Sequence, residues 1–278
     1  MEKIPKASFA IIGGSSTFSI DFPEEVGVSG IEIIDSNLTF ETPFGESSLF
    51  KLFTILDNQN EKKRVLTCKM HGWRPKVDRG KASSGVFWVL KEAGVKKIIA
   101  EGGVGSINHL LNPRDIIIPT DFIDFTGRKG LTVVGEHLLI MRQPICPQVH
   151  AALLSSVQKY HPGRVFERGI YLVTEGPRFE SRAEVSMMRQ FGADVVGQSL
   201  SPEVYLARDI GACYAGVYMV VNYAEGIVKD WEHDKLKDIF HEESKKIGQI
   251  VLEALRNITD SQEKCGCMEF RKPTLLKD

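Results

Sequence analysis

Six short stretches of this sequence place glycine, hydroxyl and charged residues side by side. They are Gly13-Gly14-Ser15-Ser16, His71-Gly72, the run from Glu101 to Ser106 that contains Gly103, Glu175-Gly176-Pro177-Arg178, Gln198-Ser199 and Asn222-Tyr223. Glycine lets a ligand approach the backbone closely and leaves N–H groups bare, and a serine hydroxyl adds a donor, so recurring Gly-Ser turns suit a phosphate. Taken singly, each turn reads equally as a plain loop. The spacing matches neither the dinucleotide fingerprint nor the P-loop, because GGSSTF lacks G-x-G-x-x-G and no G-x-x-x-x-G-K-[ST] occurs. A second chemistry comes from Glu180 and Asn222: a carboxylate accepts from a ring N–H while a carboxamide both donates and accepts, and together they can read a purine edge. The alternatives are a surface carboxylate at Glu180 and a turn-capping amide at Asn222.

Each stretch follows an apolar run of strand length, which would bring these groups to the rim of a sheet, where open α/β proteins bind their ligands. Such runs are SFAIIGG, IEIIDS, RVLTCKMHG and KKIIAEGGVG in the first half, then DIIIPTDFIDF, RGIYLVTEGPRF, ADVVGQS and CYAGVYMVVNYAEG. Between them, helical spacing of apolar residues predicts helices over 80–95, with Gly94 as C-cap, over 147–160, and over 236–258. A helix-like segment also begins after the charged turn at 175–178. The alternation predicts an α/β fold with a mixed or parallel sheet, a single domain over 1–260 and a polar tail over 261–278.

The chain of 278 residues carries 35 basic and 36 acidic side chains, a formal net charge of −1, so its composition gives no pull toward nucleic acid or an anionic membrane. Without a long apolar segment it reads as cytoplasmic. Of five cysteines, Cys68, Cys146 and Cys213 read as reduced core residues, while Cys265-Gly266-Cys267 lies in the polar tail. Zinc is a weak reading of that pair, since a structural site wants four ligands and no second pair is in sight; a disulfide across the tripeptide and free thiols are the other two.

In order along the chain, IIGGSS, TPFG, the His-Gly pair, GVGSIN followed by PRDIIIPTDFIDFTG, EGPRFESRAE, GADVVGQSLSPEVYLAR and VVNYAEG resemble the trimeric purine nucleoside phosphorylase and methylthioadenosine phosphorylase family over residues 8–256. The resemblance implies a mixed, partly barrel-like β-sheet surrounded by helices, assembled as a homotrimer or homohexamer. It implies cleavage of a purine N-glycosidic bond by inorganic phosphate as co-substrate, with no metal or organic cofactor. Ser15, His71, the backbone around Gly103 and Ser199 match phosphate positions. Asn222 and Glu180 match the residues that hold the purine and carry catalysis, with Phe179 against the purine face, Gln198 beneath the ribose and His233 at the ribose 5′-hydroxyl. Asn222 and Glu180 resemble the inosine and guanosine branch, whereas methylthioadenosine enzymes typically carry aspartates at the strand end and a small residue after the Gly-Pro-Arg-Phe turn. On this resemblance the turn at 175–178 aims Phe179 and Glu180 into a base pocket, and its charge cluster forms a site wall.

The chain departs from the family pattern at the phosphate end. Met70 stands where an arginine usually precedes the His-Gly pair, Gly102 replaces a usual Thr or Asn, and Gln198 replaces a methionine. Arg74, with Arg79 behind it, is the nearest candidate to restore the lost charge, and protonated His71 would add to it. Three functions follow: a 6-oxopurine nucleoside phosphorylase, a methylthioadenosine-type phosphorylase, or a nucleoside-binding relative with weak or no activity.

Overall fold

The computed structural model describes residues 3–128, 130–230 and 232–275. Its strands are β1 (Phe9–Ile12), β2 (Ile31–Leu38), the short hairpin β3 (Glu41–Thr42) and β4 (Gly45–Glu46), β5 (Phe50–Leu56), β6 (Lys62–Cys68), β7 (Lys97–Ser106), β8 (Ile116–Ile117), β9 (Asp121–Asp124), β10 (His137–Leu139), β11 (Val165–Phe166), β12 (Ile170–Val173), β13 (Val195–Gly197), β14 (Cys213–Tyr223) and β15 (Arg271–Pro273). The helices are α1 (Arg79–Ala93), α2 (Pro147–Tyr160), α3 (Arg182–Gln190), α4 (Leu200–Asp209) and α5 (His233–Arg256).

The apolar runs became strands because both faces of the sheet are covered: every residue of β1 and β14 is buried. The main sheet has the order β11-β8-β14-β7-β1-β6-β5-β2, with β1 parallel to β6 and β7, and β7 parallel to β14 along nearly its whole length. At its far end β7 also pairs antiparallel with β13, which carries β12 and β9 with it, so the sheet branches into a second limb. This is the mixed, partly barrel-like sheet expected. The carboxyl ends of β1, β6, β7, β12 and β14 thereby converge.

Local signals place the helices. Asp78 caps α1 by accepting from the Lys81 N–H at 3.0 Å, and Gly94 ends it in the left-handed conformation. Ser181 and Glu184 form a reciprocal capping box at the start of α3. The 115–125 run gives two short strands, β8 and β9, rather than one, with Pro119, which cannot donate to a ladder, between them. The polar tail packs back: β15 pairs antiparallel with β10, and Cys265 and Cys267 join the main core cluster. Among the described residues no helix is long and apolar enough to cross a membrane.

Candidate functional site

The converging strand ends enclose a cavity of about 270 Å³, near the lower end of the roughly 300–1,000 Å³ typical of small-molecule pockets. Ser15, His71, Gly103, Phe179, Glu180, Gln198, Ser199 and Asn222 all line it. A larger cleft of about 750 Å³ lies beside the amino end of β1. It is an open trough of surface charges, and its Lys63 ammonium is held by the carbonyls of Leu255, Arg256 and Ile258 that close α5. Ligand chemistry therefore belongs to the smaller, more apolar cavity at the strand carboxyl ends.

At one end stand the heterocycle-reading groups. Glu180 is buried, and its Oε1 accepts from the Thr174 hydroxyl at 2.6 Å. Asn222 is buried near the end of β14, where a register shift between Val220 and Asn222 marks a bulge. The extra residue breaks the alternation of the strand, so Val221 and Asn222 both face the cavity. One amide N–H of Asn222 goes to the Tyr223 carbonyl at 2.8 Å, which leaves the second N–H and Oδ1 for a ligand. Phe179 stands half-exposed at the same wall.

The charge cluster of 175–184 divides. Only Phe179 and Glu180 line the cavity. Glu175 accepts from the Gly127 N–H at 2.8 Å and pairs with Arg128 at 3.2 Å. Arg178 pairs with Glu184 at 2.7 Å on the surface, and together with the Ser181 backbone N–H it holds the Glu184 carboxyl down to about 2. The expected wall of charge is thus one inward carboxylate and an outward ion pair that anchors the start of α3.

At the other end the anion-binding turns are arranged differently from expectation. The buried Glu101 carboxylate accepts from the Gly14, Ser16 and Thr17 N–H groups and from the Thr17 hydroxyl at 2.7 Å. The amides that the Gly-Gly-Ser turn was expected to offer a phosphate are therefore held by the chain's own carboxylate. Gly103 N–H in turn donates to Ser15 Oγ at 3.0 Å, which frees the serine proton to point at a ligand. Ser199 Oγ lies 3.3 Å from the Tyr171 hydroxyl. Glycine is required at position 14, because an added Cβ would lie 2.2 Å from the Glu101 carbonyl oxygen and 2.6 Å from His71 Nε2.

His71 sits in a 3-10 turn after β6 with φ 56, next to Met70 with φ 50; consecutive left-handed residues that carry side chains are uncommon and mark a constrained site. Its Nδ1 lies 2.7 Å from Glu203, which also accepts from Tyr214 at 2.8 Å. A carboxylate acceptor places the proton on Nδ1 and leaves Nε2 toward Gly14 and Gly102.

Arg74 is not brought to the cavity. Its guanidinium donates to the Glu46 carbonyl on the β3–β4 hairpin, on the far side of the turn. Arg79, the first residue of α1, lines the cavity instead. It stacks over Trp73 at 4.4 Å and donates to Gln198 Oε1 at 2.6 Å and the Glu175 carbonyl at 2.8 Å. Gly176 admits this contact, since a Cβ there would lie 2.3 Å from Gln198 Oε1 and 2.5 Å from the guanidinium. Burial, and then the neighbouring Arg128, push the Arg79 guanidinium below its ordinary value, a cost that an anion in the cavity would relieve. The sequence marks Glu101 only as a strand-end residue and Glu203 only as part of the GADVVGQSLSPEVYLAR run, and gives a role to neither. His233 opens α5, but its side chain lies outside the described residues.

Residues 9–256 match the family model described as the phosphorylase superfamily. The chain is 33% identical to a 6-oxopurine nucleoside phosphorylase of Pyrococcus furiosus over 278 residues, covering 95% of this chain and 97% of the relative. It is 32% identical to an S-methyl-5′-thioadenosine phosphorylase of Pyrococcus horikoshii, covering 94% and 96%. A crystal structure of a methylthioadenosine phosphorylase from an Antarctic soil metagenomic library superposes with a TM-score of 0.78 over 95% of this chain and 91% of that one, at 24% identity, a likeness of fold.

Proposed function

The chain belongs to the phosphorylase superfamily, and from that premise we propose that it cleaves 6-oxopurine nucleosides with inorganic phosphate, releasing the base and ribose 1-phosphate. The observation that carries this reading is the presence of Glu180 and Asn222 in one cavity with Ser15, His71, Ser199 and Arg79. In the reaction the bond from the sugar C1′ to the purine N9 breaks with its electron pair leaving on the base. A phosphate oxygen forms the new bond to C1′, and a proton from solvent neutralises the base. Charge separates in the transition state, so the work of the site is electrostatic and positional. Asn222 holds N7 and the 6-oxygen through its free N–H, and Glu180 accepts from N1–H. Ser15, Ser199 and Arg79 hold the phosphate, joined by His71 when its imidazole is protonated at Nε2 as well as Nδ1, and Phe179 and Gln198 border the base and sugar. No organic cofactor or metal enters this scheme.

The test is a panel of purine nucleosides incubated with and without phosphate. Base release from inosine and guanosine is expected only with phosphate, with the sugar recovered as its 1-phosphate. Equal release in phosphate-free buffer would mean hydrolysis, and no release from any nucleoside would leave a binding protein.

A second reading concerns the 5′ position. Leu236 and Phe240 of α5 give the cavity an apolar flank beside Ser15 and Gly103. Such a flank suits a 5′-methylthio group better than a hydroxyl, which would lose its hydrogen bonds there. Including 5′-methylthio nucleosides of hypoxanthine and adenine in the panel separates the two readings. Asn222→Asp is expected to move preference from inosine toward adenosine by roughly 10- to 100-fold, about 1–3 kcal/mol, because a carboxylate accepts from a 6-amino group and repels a 6-oxygen. An unchanged ratio of the two kcat/KM values would place Asn222 away from the base.

The reading carries with it a cytoplasmic setting and a homotrimer or homohexamer. The exposed edge-to-face pair Phe125–Phe191, with ring centroids 5.7 Å apart, supports the latter, since it offers an apolar contact on the same limb as β12. Light scattering on the purified chain tests it, and a monomer would refute it.

A further inference from the structure

Four cysteines that the sequence scatters over 122 positions, from 146 to 267, meet in the fold. Cys146 caps the amino end of α2, Cys213 opens β14, and Cys265 and Cys267 come from the tail beyond α5. All four are buried, and their sulfurs lie within 4.8 Å of one another, with Cys213 and Cys265 at 3.5 Å. The second pair that the sequence did not reveal is therefore Cys146 and Cys213, each without a neighbouring cysteine in sequence.

We propose that Cys146, Cys213, Cys265 and Cys267 form a tetrathiolate site for one zinc ion. Zinc–sulfur bonds of about 2.3 Å in a tetrahedron put sulfurs roughly 3.8 Å apart, so the cluster needs only small adjustments to close on a metal. The surroundings supply the charge balance. Lys97 is buried, and its ammonium lies 3.5 Å from Cys213 Sγ and 2.8 Å from Gln148 Oε1. Arg208 is buried too; it donates to the Ile140 and Gln143 carbonyls and interacts electrostatically with all four sulfurs. Neither cation has a carboxylate partner among the described residues. Zinc with four thiolates carries a net charge of −2, which Lys97 and Arg208 neutralise. Two disulfides would be neutral and would leave two buried cations uncompensated, a costly arrangement. Gln262 adds a donor to the shell: its side-chain amide N–H reaches Cys213 Sγ at 3.5 Å, a contact suited to a thiolate. The metal joins the tail to the helix and strand that it crosses, at the opposite end of β14 from Asn222. It serves stability rather than turnover.

The experiment uses the full chain, purified under reducing conditions with zinc in the medium. One zinc per chain is expected by elemental analysis, released in step with four thiols on titration with a mercurial. Cobalt reconstitution of the metal-free chain is expected to give the intense d–d and charge-transfer bands of a tetrahedral tetrathiolate. Cys265→Ser with Cys267→Ser should abolish stoichiometric metal, and Lys97→Met should raise the fraction of zinc lost to a chelator, with phosphorolysis at ambient temperature unchanged in both. Mass spectrometry of the alkylated wild-type chain showing two disulfides in the zinc-supplied protein overturns the proposal. So does a reduced chain with four free thiols that takes up neither zinc nor cobalt.

Discussion

Arg79→Ala is expected to raise the phosphate concentration at half-maximal rate by roughly 10- to 100-fold, about 1.5–3 kcal/mol, the scale of one charge-assisted hydrogen bond. Arg74→Ala should move it by less than about twofold, as for an ordinary surface side chain. The arginine usual before the His-Gly pair is Met70, and of the two nearby cations only Arg79 reaches the cavity. Its guanidinium is presented by Trp73 on one face and by Gln198 at its tip, 2.6 Å away. A phosphate dianion would take the place of the neutral amide and gain a full charge interaction. The nucleoside KM should stay nearly constant, because the purine-reading groups lie on β14 and the turn after β12. Arg79→Lys should recover only part of the loss, since an ammonium neither stacks on Trp73 as a planar group nor offers a fork. Equal effects of the two alanine variants, or a loss expressed in nucleoside KM alone, would remove Arg79 from the anion site.

The contrast between the two arginines shows what the sequence could and could not reveal. Apolar runs ending in glycine found the strands of the site because the sheet is covered on both faces, so burial acts on every residue and the run is continuous. Gly94, Asp78 and Ser181 end or begin helices through local hydrogen bonds, and local signals survive in sequence. Nearness along the chain to His71 favours Arg74, yet the loop turns at positive φ through Met70, His71 and Gly72, which sends the following side chains in directions that spacing does not record. The inward turn of Asn222 depends on a one-residue bulge in β14, and the four-cysteine cluster on contacts more than 50 residues apart. The sequence marks Glu101 only as a strand-end residue, because its partners lie 84 to 87 positions away in the turn after β1.

That carboxylate sets the last and largest expected effect. Glu101→Ala should destabilise the fold by about 3–5 kcal/mol, the cost of leaving buried partners unpaired, and should abolish most of the phosphorolytic rate. Three backbone N–H groups and the Thr17 hydroxyl converge on Glu101, so truncation orphans four donors in a site sealed from water. The turn they hold carries Ser15, whose Oγ is fixed by Gly103, so loss of the carboxylate displaces a phosphate ligand as well. Glu101→Gln keeps the shape but sets an amide N–H against other donors, and should fall between wild type and alanine. Presence of the charge and its removal have different consequences. Burial raises the Glu101 carboxyl above its ordinary value, against the lowering effect of its hydrogen bonds, so ionising it in the fold is harder than in the unfolded chain. The folded state therefore binds this proton more tightly, and the group's contribution to stability is fully present below the ordinary carboxyl range and declines as pH rises through the raised value. Glu101→Gln should remove that decline, leaving a flatter dependence of stability on pH above the ordinary carboxyl range than wild type shows. Urea unfolding at several pH values measures both quantities. An alanine variant as stable as wild type would mean that the Gly14–Thr17 turn is held by other contacts, and that the carboxylate is a passenger beneath it.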